Sequence, residues 1–242
     1  MTQTIEIRSG VELPSRREEV ELRTADGLAL VGELATPVDR APVATLVTLH
    51  PLPTHGGFMD SHVYKKAANR LPALADLAVL RFNTRGTTSP RGTSEGEFGD
   101  GVTEAHDLAA ALDFVRERAL PNPWLVGWSF GTEVALKHGR EHDEVKGLIL
   151  LSPPLRRTSQ EELERWNGCT KPVVMIVPEF DDFLRPDAAI ERTADVEGVR
   201  VLPIEGGRHL WVGETQTRQV LTEIVRLVNP AALPLPTHWP AA

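Results

Sequence analysis

The run Gly127-Trp128-Ser129-Phe130-Gly131 sets one serine between two glycines, with the apolar stretch PWLVGW leading in and the helical pattern TEVALKHGR leading out. A serine at the tip of a sharp strand-to-helix turn is held in a strained backbone conformation, and the flanking chain passes very close to it. Glycine at 127 and 131 removes the side chains that would collide there. The turn also sets Ser129 at a helix N-terminus, where the positive end of the dipole favours developing negative charge. G-x-S-x-G by itself also arises by chance as a plain tight turn. The strand before it and the helix after it are what make Ser129 read as a nucleophile.

A serine hydroxyl is a poor nucleophile near neutral pH and needs a histidine base oriented by a carboxylate. The chain has eight histidines, and their positions separate them. His209 follows the strand pattern VRVLPIE in Gly206-Gly207-Arg208-His209, and is the candidate base. His138 and His142 lie on or after the helix that follows Ser129, pointing away from its start; His106 is in a long helix and His238 in the tail. His50, His55 and His62 surround the end of the first buried strand and read as loop packing or a substrate-side contact. No matching Cys/His/Asp cluster supports a metal there. The carboxylate is expected after the strand KPVVMIVP, which runs into Glu179-Phe180-Asp181-Asp182. Asp181 or Asp182 can orient the imidazole, and because adjacent side chains point apart, only one of them faces it.

Attack on an acyl carbon creates an oxyanion that needs preorganised donors. One is expected from the backbone N–H of Phe130, directly after the serine. The other is expected from His50-Pro51-Leu52-Pro53-Thr54-His55-Gly56-Gly57, where the prolines have no N–H and Leu52 does. Such chemistry requires neither cofactor nor metal.

These residues must be positioned by the elements around them. EEVELRT and LALVGELAT flank a hairpin-like turn at Ala25-Asp26-Gly27. ATLVTLH, LAVLRFN, PWLVGW, VKGLILLS, KPVVMIVP and VRVLPIE read as buried strands. Helical patterns fall between them at SHVYKKAANRLPAL, where Pro72 is expected to end or bend the helix, at VTEAHDLAAALDFVRERA, TEVALKHGR and DAAIERTADV, and finally at ETQTRQVLTEIVRLV. TRGTTSPRGTSEGEFGDG reads as a loop. Alternating strands and helices predict an α/β fold, a mostly parallel sheet with helices on both faces and its sites at the carboxyl ends of the strands. The expectation is a single domain over 1–242, with 229–242 a Pro-rich irregular tail on the surface.

A formal charge of −8 argues against nucleic acid or an anionic membrane as partner. The single cysteine, Cys169, precludes an intrachain disulfide and suits a reducing compartment. No secretory signal and no continuous apolar span is visible, so a cytoplasmic location is expected.

Taken together, Ser129, the acid, His209 and the His50-Pro51 loop resemble the α/β-hydrolase superfamily, from about residue 18 to about residue 228. The chain is similar to a small bacterial branch marked by a His-Pro loop leading to Gly-Gly-x-Met-Asp, here Gly56-Gly57-Phe58-Met59-Asp60. That branch also carries an Arg-Phe-Asn-x-Arg-Gly strand end, here Arg81 to Gly86, and a Gly-x-Ser-Phe-Gly elbow. The resemblance puts the acid at Asp181, in a turn where Pro178 replaces the usual glycine. A serine at the elbow disfavours haloalkane dehalogenase and dienelactone hydrolase chemistry. Only Pro153 to Lys171 occupies the usual lid position, which implies a minimal lid and an open cleft with Phe58, Trp128, Phe183, Leu184 and Trp211 as possible lining. The activity implied is a serine hydrolase acting on a small-molecule ester, thioester or similar acyl compound. A non-catalytic binding protein on the same fold, or an acyltransferase or peptidase with the same machinery, is the alternative.

Overall fold

The computed structural model describes residues 4–240. After a short β1 (Thr4–Glu6), β2 (Arg16–Arg23) and β3 (Ala29–Thr36) pair antiparallel around Gly27, whose φ of +91° suits the turn. Then come β4 (Ala44–Leu49), α1 (His62–Ala75) and β5 (Leu77–Phe82). The small hairpin of β6 (Thr88–Ser89) and β7 (Gly92–Thr93) interrupts what the sequence marks as a loop. Next are α2 (Glu104–Glu117), β8 (Pro123–Trp128), α3 (Phe130–His138), β9 (Gly147–Leu151) and the short α4 (Gln160–Glu164). The chain closes with β10 (Val173–Phe180), α5 (Pro186–Arg192), β11 (Val199–Arg208), α6 (Glu214–Val228) and β12 (His238–Pro240).

Eight strands form one sheet in the order β11-β10-β9-β8-β4-β5-β3-β2. From β5 to β11 all neighbours are parallel, and only β3 runs against its partners β2 and β5. Strand periodicity divides the core. In β10, Val173, Met175 and Val177 join Leu108 and Leu112 of α2 and Val134 of α3 on one face. Val174 and Ile176 join Leu71 of α1 and Leu221 and Ile224 of α6 on the other. Each such side chain, fully buried, contributes about 1.5–3 kcal/mol relative to exposure. No helix is long and apolar enough to cross a membrane among the described residues.

Two expectations are corrected. Pro72 does not end α1, which continues to Ala75 before Asp76, at φ +53°, closes it by donating its N–H to Leu71 O. Burial of Leu71 and Ala75 against the sheet outweighs the one N–H that proline lacks. The tail is not wholly irregular: Pro230–Ala232 form a 3-10 turn, Leu235 is buried, and β12 pairs with β1. Its last two residues, like residues 1–3 at the start of the chain, lie outside the described residues. The lid position holds α4, begun by a reciprocal cap between Ser159 and Glu162.

Candidate active site

Ser129 sits between β8 and α3 at φ +51°, ψ −115°, a conformation that a non-glycine residue adopts only under constraint. The constraint is visible in the two glycines. A Cβ on Gly127 would lie 2.5 Å from Gly131 O, and one on Gly131 would lie 1.9 Å from Leu49 O. Both are closer than real contacts allow, so the turn and its fit against the end of β4 exist only with glycine. Ser129 N–H donates to Leu151 O at 2.9 Å, tying the turn to β9.

His209 follows β11 directly, and its Nε2 lies 3.0 Å from Ser129 Oγ. Its Nδ1 lies 2.9 Å from Asp181 Oδ2. A carboxylate only accepts, so Nδ1 carries the proton and Nε2 presents a lone pair to the serine hydroxyl. The other Asp181 oxygen accepts N–H bonds from Phe183 (2.8 Å) and Leu184 (3.1 Å), which fixes the carboxylate. The His209 carbonyl accepts from Trp128 Nε1 at 3.1 Å and from Ser152 Oγ at 3.0 Å. Asp181 and His209 are both buried, whereas Asp182 is exposed and borders the cleft. Pro178 fits the acid turn because that turn uses its carbonyl, which accepts Asp181 N–H at 3.2 Å, and asks nothing of its missing N–H.

A cavity of about 570 Å³ opens over Ser129, bordered by Leu52, Phe130, Arg156, Arg157, Phe183 and Leu210 among others. Among the described residues, neither the Leu52 nor the Phe130 N–H has an acceptor within the protein. Of the five apolar residues expected to line the cleft, only Phe183 borders it. Trp128 and Trp211 are buried in the core, because Trp128 is still in β8 and its side chain takes the sheet face opposite the cleft. Phe58 and Leu184 lie outside the cavity wall. The walls come instead from Phe130 and from Arg156 and Arg157 on the flap.

The three histidines near β4 are not brought together. His55 is exposed beside Thr54 Oγ1, and His62 Nε2 faces Trp211 O at 3.2 Å. His50 is fully buried. Its Nε2 accepts Thr84 N–H at 3.0 Å, so the other nitrogen carries the proton and donates to Pro51 O at 2.7 Å. Burial pushes this imidazole from 6.5 down to about 4, which keeps it neutral. The bond to Pro51 O matters because that carbonyl and the Leu52 N–H belong to one trans peptide and point in opposite directions. Gly57 closes the other side, since a Cβ there would lie 2.0 Å from Pro51 O and 2.9 Å from Leu52 N. Position at a strand end beside a proline marked His50 as interesting, but not which atom it holds. Among the described residues, no group of three or more His, Cys, Asp or Glu is arranged to hold a metal.

A mostly parallel sheet carrying a serine at such a turn is the architecture of the α/β hydrolases. Residues 52–242 match the alpha/beta hydrolase family model, and the chain belongs to that family. It is 30% identical over 152 residues to the uncharacterized protein RP471 of Rickettsia prowazekii (strain Madrid E), and spans about 60% of the length of that curated relative. Among solved structures, an alpha-beta serine hydrolase homologue from Coxiella burnetii superposes with a TM-score of 0.71 at 24% identity, over 88% of this chain and 96% of that one. XC6422 from Xanthomonas campestris, described as an α/β serine hydrolase without lid, gives 0.70 at 27% identity, over 89% and 96%. The Pyrococcus furiosus esterase Pf2001 gives 0.69 at 19% identity, over 90% and 92%. The first and third of these establish the fold alone. Family, fold and neighbours together support a hydrolase.

Proposed function

We propose that the protein hydrolyses a carboxylic ester, thioester or similar acyl compound through an acyl-enzyme on Ser129. The observation that carries this reading is the unbroken hydrogen-bond chain from Ser129 Oγ through His209 to Asp181. His209 Nε2 takes the hydroxyl proton as Oγ attacks the acyl carbon. Asp181 holds the imidazole in the required tautomer and stabilises the imidazolium. The N–H groups of Leu52 and Phe130 receive the oxyanion, with His50 holding the peptide that bears the first. His209 returns its proton to the departing alcohol or thiol. It then accepts a proton from water as the water oxygen attacks the acyl group, and passes that proton to Ser129 Oγ as the acyl bond to the serine breaks, releasing the acid and free Ser129. A lidless serine hydrolase among the structural neighbours supports the same chemistry in an open cleft.

The test is turnover of short para-nitrophenyl esters. Ser129→Ala is expected to lower kcat by about ten-thousandfold or more while the fold is retained, and to abolish labelling by a fluorophosphonate. Asp181→Asn should cost far more than Asp182→Asn, because only Asp181 touches the imidazole. Unchanged turnover in Ser129→Ala, or greater damage from Asp182→Asn, overturns the assignment.

A further inference from the structure

Between β9 and α4, Arg156 is exposed and Arg157 half-buried, but the backbone that carries them is anchored. Glu133 on α3, fully buried, accepts the N–H of Arg156 at 2.8 Å with one oxygen. Its other oxygen accepts the N–H of Arg157 at 3.0 Å and the Thr158 hydroxyl at 2.5 Å. A buried carboxylate without these donors would be strongly unfavourable, so the flap backbone is anchored to the helix that begins beside Ser129. The anchoring turns both guanidinium groups onto aromatic walls of the cleft. Arg156 lies 4.7 Å above the Phe183 ring, and that ring meets His209 edge-on at 4.5 Å. Arg157 lies 5.7 Å from the Phe130 ring and is paired through Nε to Asp100 at 2.5 Å. Arg156 makes no ion pair among the described residues.

In a chain of formal charge −8, two guanidinium groups and one carboxylate, Asp182, border the cleft, and since Asp100 pairs with Arg157, Arg156 is the guanidinium left without an ion-pair partner among the described residues. The remaining wall is largely apolar, from Leu52, Phe130, Phe183 and Leu210. Both arginines border the same cavity of about 570 Å³ as Ser129, within the reach of one small molecule. An aromatic-backed, unpaired guanidinium suits a carboxylate or phosphate, which it can bind with two parallel N–H bonds.

We infer that the preferred substrate is an acyl compound with an apolar body and an anionic group, carboxylate or phosphate, which Arg156 receives at the cleft mouth with Arg157 beside it. This rests on the hydrolase reading above and specifies its substrate class. The anion can belong to the acyl part or to the leaving group, and two matched substrate pairs separate these. One pair is the para-nitrophenyl hemiester of adipic acid and its methyl-capped diester, with the charge on the acyl side. The other is para-butanoyloxybenzoate and its methyl ester, read by phenol release, with the charge on the leaving group.

In at least one pair the charged member should be cleaved with a kcat/KM about tenfold above the neutral one. Arg156→Gln should bring that ratio close to one, and Arg156→Lys should keep part of it. In the wild-type protein, raising salt from about 20 mM to about 500 mM should lower the same ratio, a readout that needs no variant. Asp182→Asn should raise it, by removing the carboxylate that borders the cleft. Turnover of both neutral esters with no charged preference in either pair overturns the inference and leaves the hydrolase reading standing. No turnover of any ester together with no fluorophosphonate labelling overturns both.

Discussion

Phe130 and Leu52 border one cavity, yet their backbones are held by different physics. Phe130 opens α3 directly after a turn that is determined by sterics, with Gly127 against Gly131 and Gly131 against Leu49. No titratable group takes part. Leu52 lies in a loop rather than at a helix end, and its peptide is held by a buried neutral imidazole on one side and by Gly57 on the other. One proposed donor is therefore fixed by the shape of the backbone and the other by a hydrogen bond from a side chain that can titrate. The contrast predicts that the two sides fail differently, one by unfolding and the other by loss of alignment.

The largest expected effect is at the elbow. Gly131→Ala puts a methyl group 1.9 Å from Leu49 O, a backbone atom of a buried central strand that cannot swing aside. Leu49 O also receives the Tyr64 hydroxyl at 3.0 Å, so its displacement disturbs α1 as well. Chemical denaturation should show a loss of about 3 kcal/mol, with ester turnover lost alongside. The matching change on the other side, Gly57→Ala, meets Pro51 O at 2.0 Å, but in a loop that can shift. It should leave most stability and lower kcat by about a hundredfold, the usual cost of one misplaced oxyanion donor. Equal stability losses in the two variants would break the contrast.

The same contrast explains what was legible in the sequence. The elbow could be read locally, because Gly127 and Gly131 are only four residues apart and Gly127 packs directly against Gly131, although the close approach of Gly131 to Leu49 O on β4 is not local. Strand ends could be read from apolar runs, and with them the places of Ser129, the acid and His209. The choice between Asp181 and Asp182 could not be made from their residue types, since it depends on a register shift between Pro178 and Phe180 in β10. The cleft walls are less legible for a related reason. Trp128 adjoins Ser129 and is possible lining, but strand alternation sends it into the core, where it holds the His209 carbonyl. Arg156 and Arg157 carry no local signal, because their backbone is anchored by Glu133, more than twenty residues earlier in the chain. A carboxylate on the apolar face of TEVAL was the available signal.

At neutral pH the third expected effect vanishes, since it appears only on acidification, and it tests the imidazole side alone. The His50 pKa is 6.5 ordinarily and is pushed by burial to about 4 in the fold. Between these values the unfolded chain binds a proton that the native protein excludes, so stability falls as pH falls through this window and is undiminished above it. The loss should be about 1 kcal/mol at about pH 5.5 and approach about 3 kcal/mol below pH 4. Other carboxylates also titrate there, so the measurement is the difference between wild type and His50→Gln, whose side chain is neutral at every pH. Protonation also turns Nε2 into a donor facing Thr84 N–H, so the ring must shift towards Thr84 Oγ1, 3.1 Å away, and its alignment on Pro51 O is disturbed. The wild-type kcat, more than KM, should therefore fall with stability over the same window, whereas His50→Gln starts lower and lacks this component. A wild-type profile parallel to that of His50→Gln would mean that the Leu52 peptide is held by its prolines and Gly57 alone, and both donors would then be fixed by backbone shape.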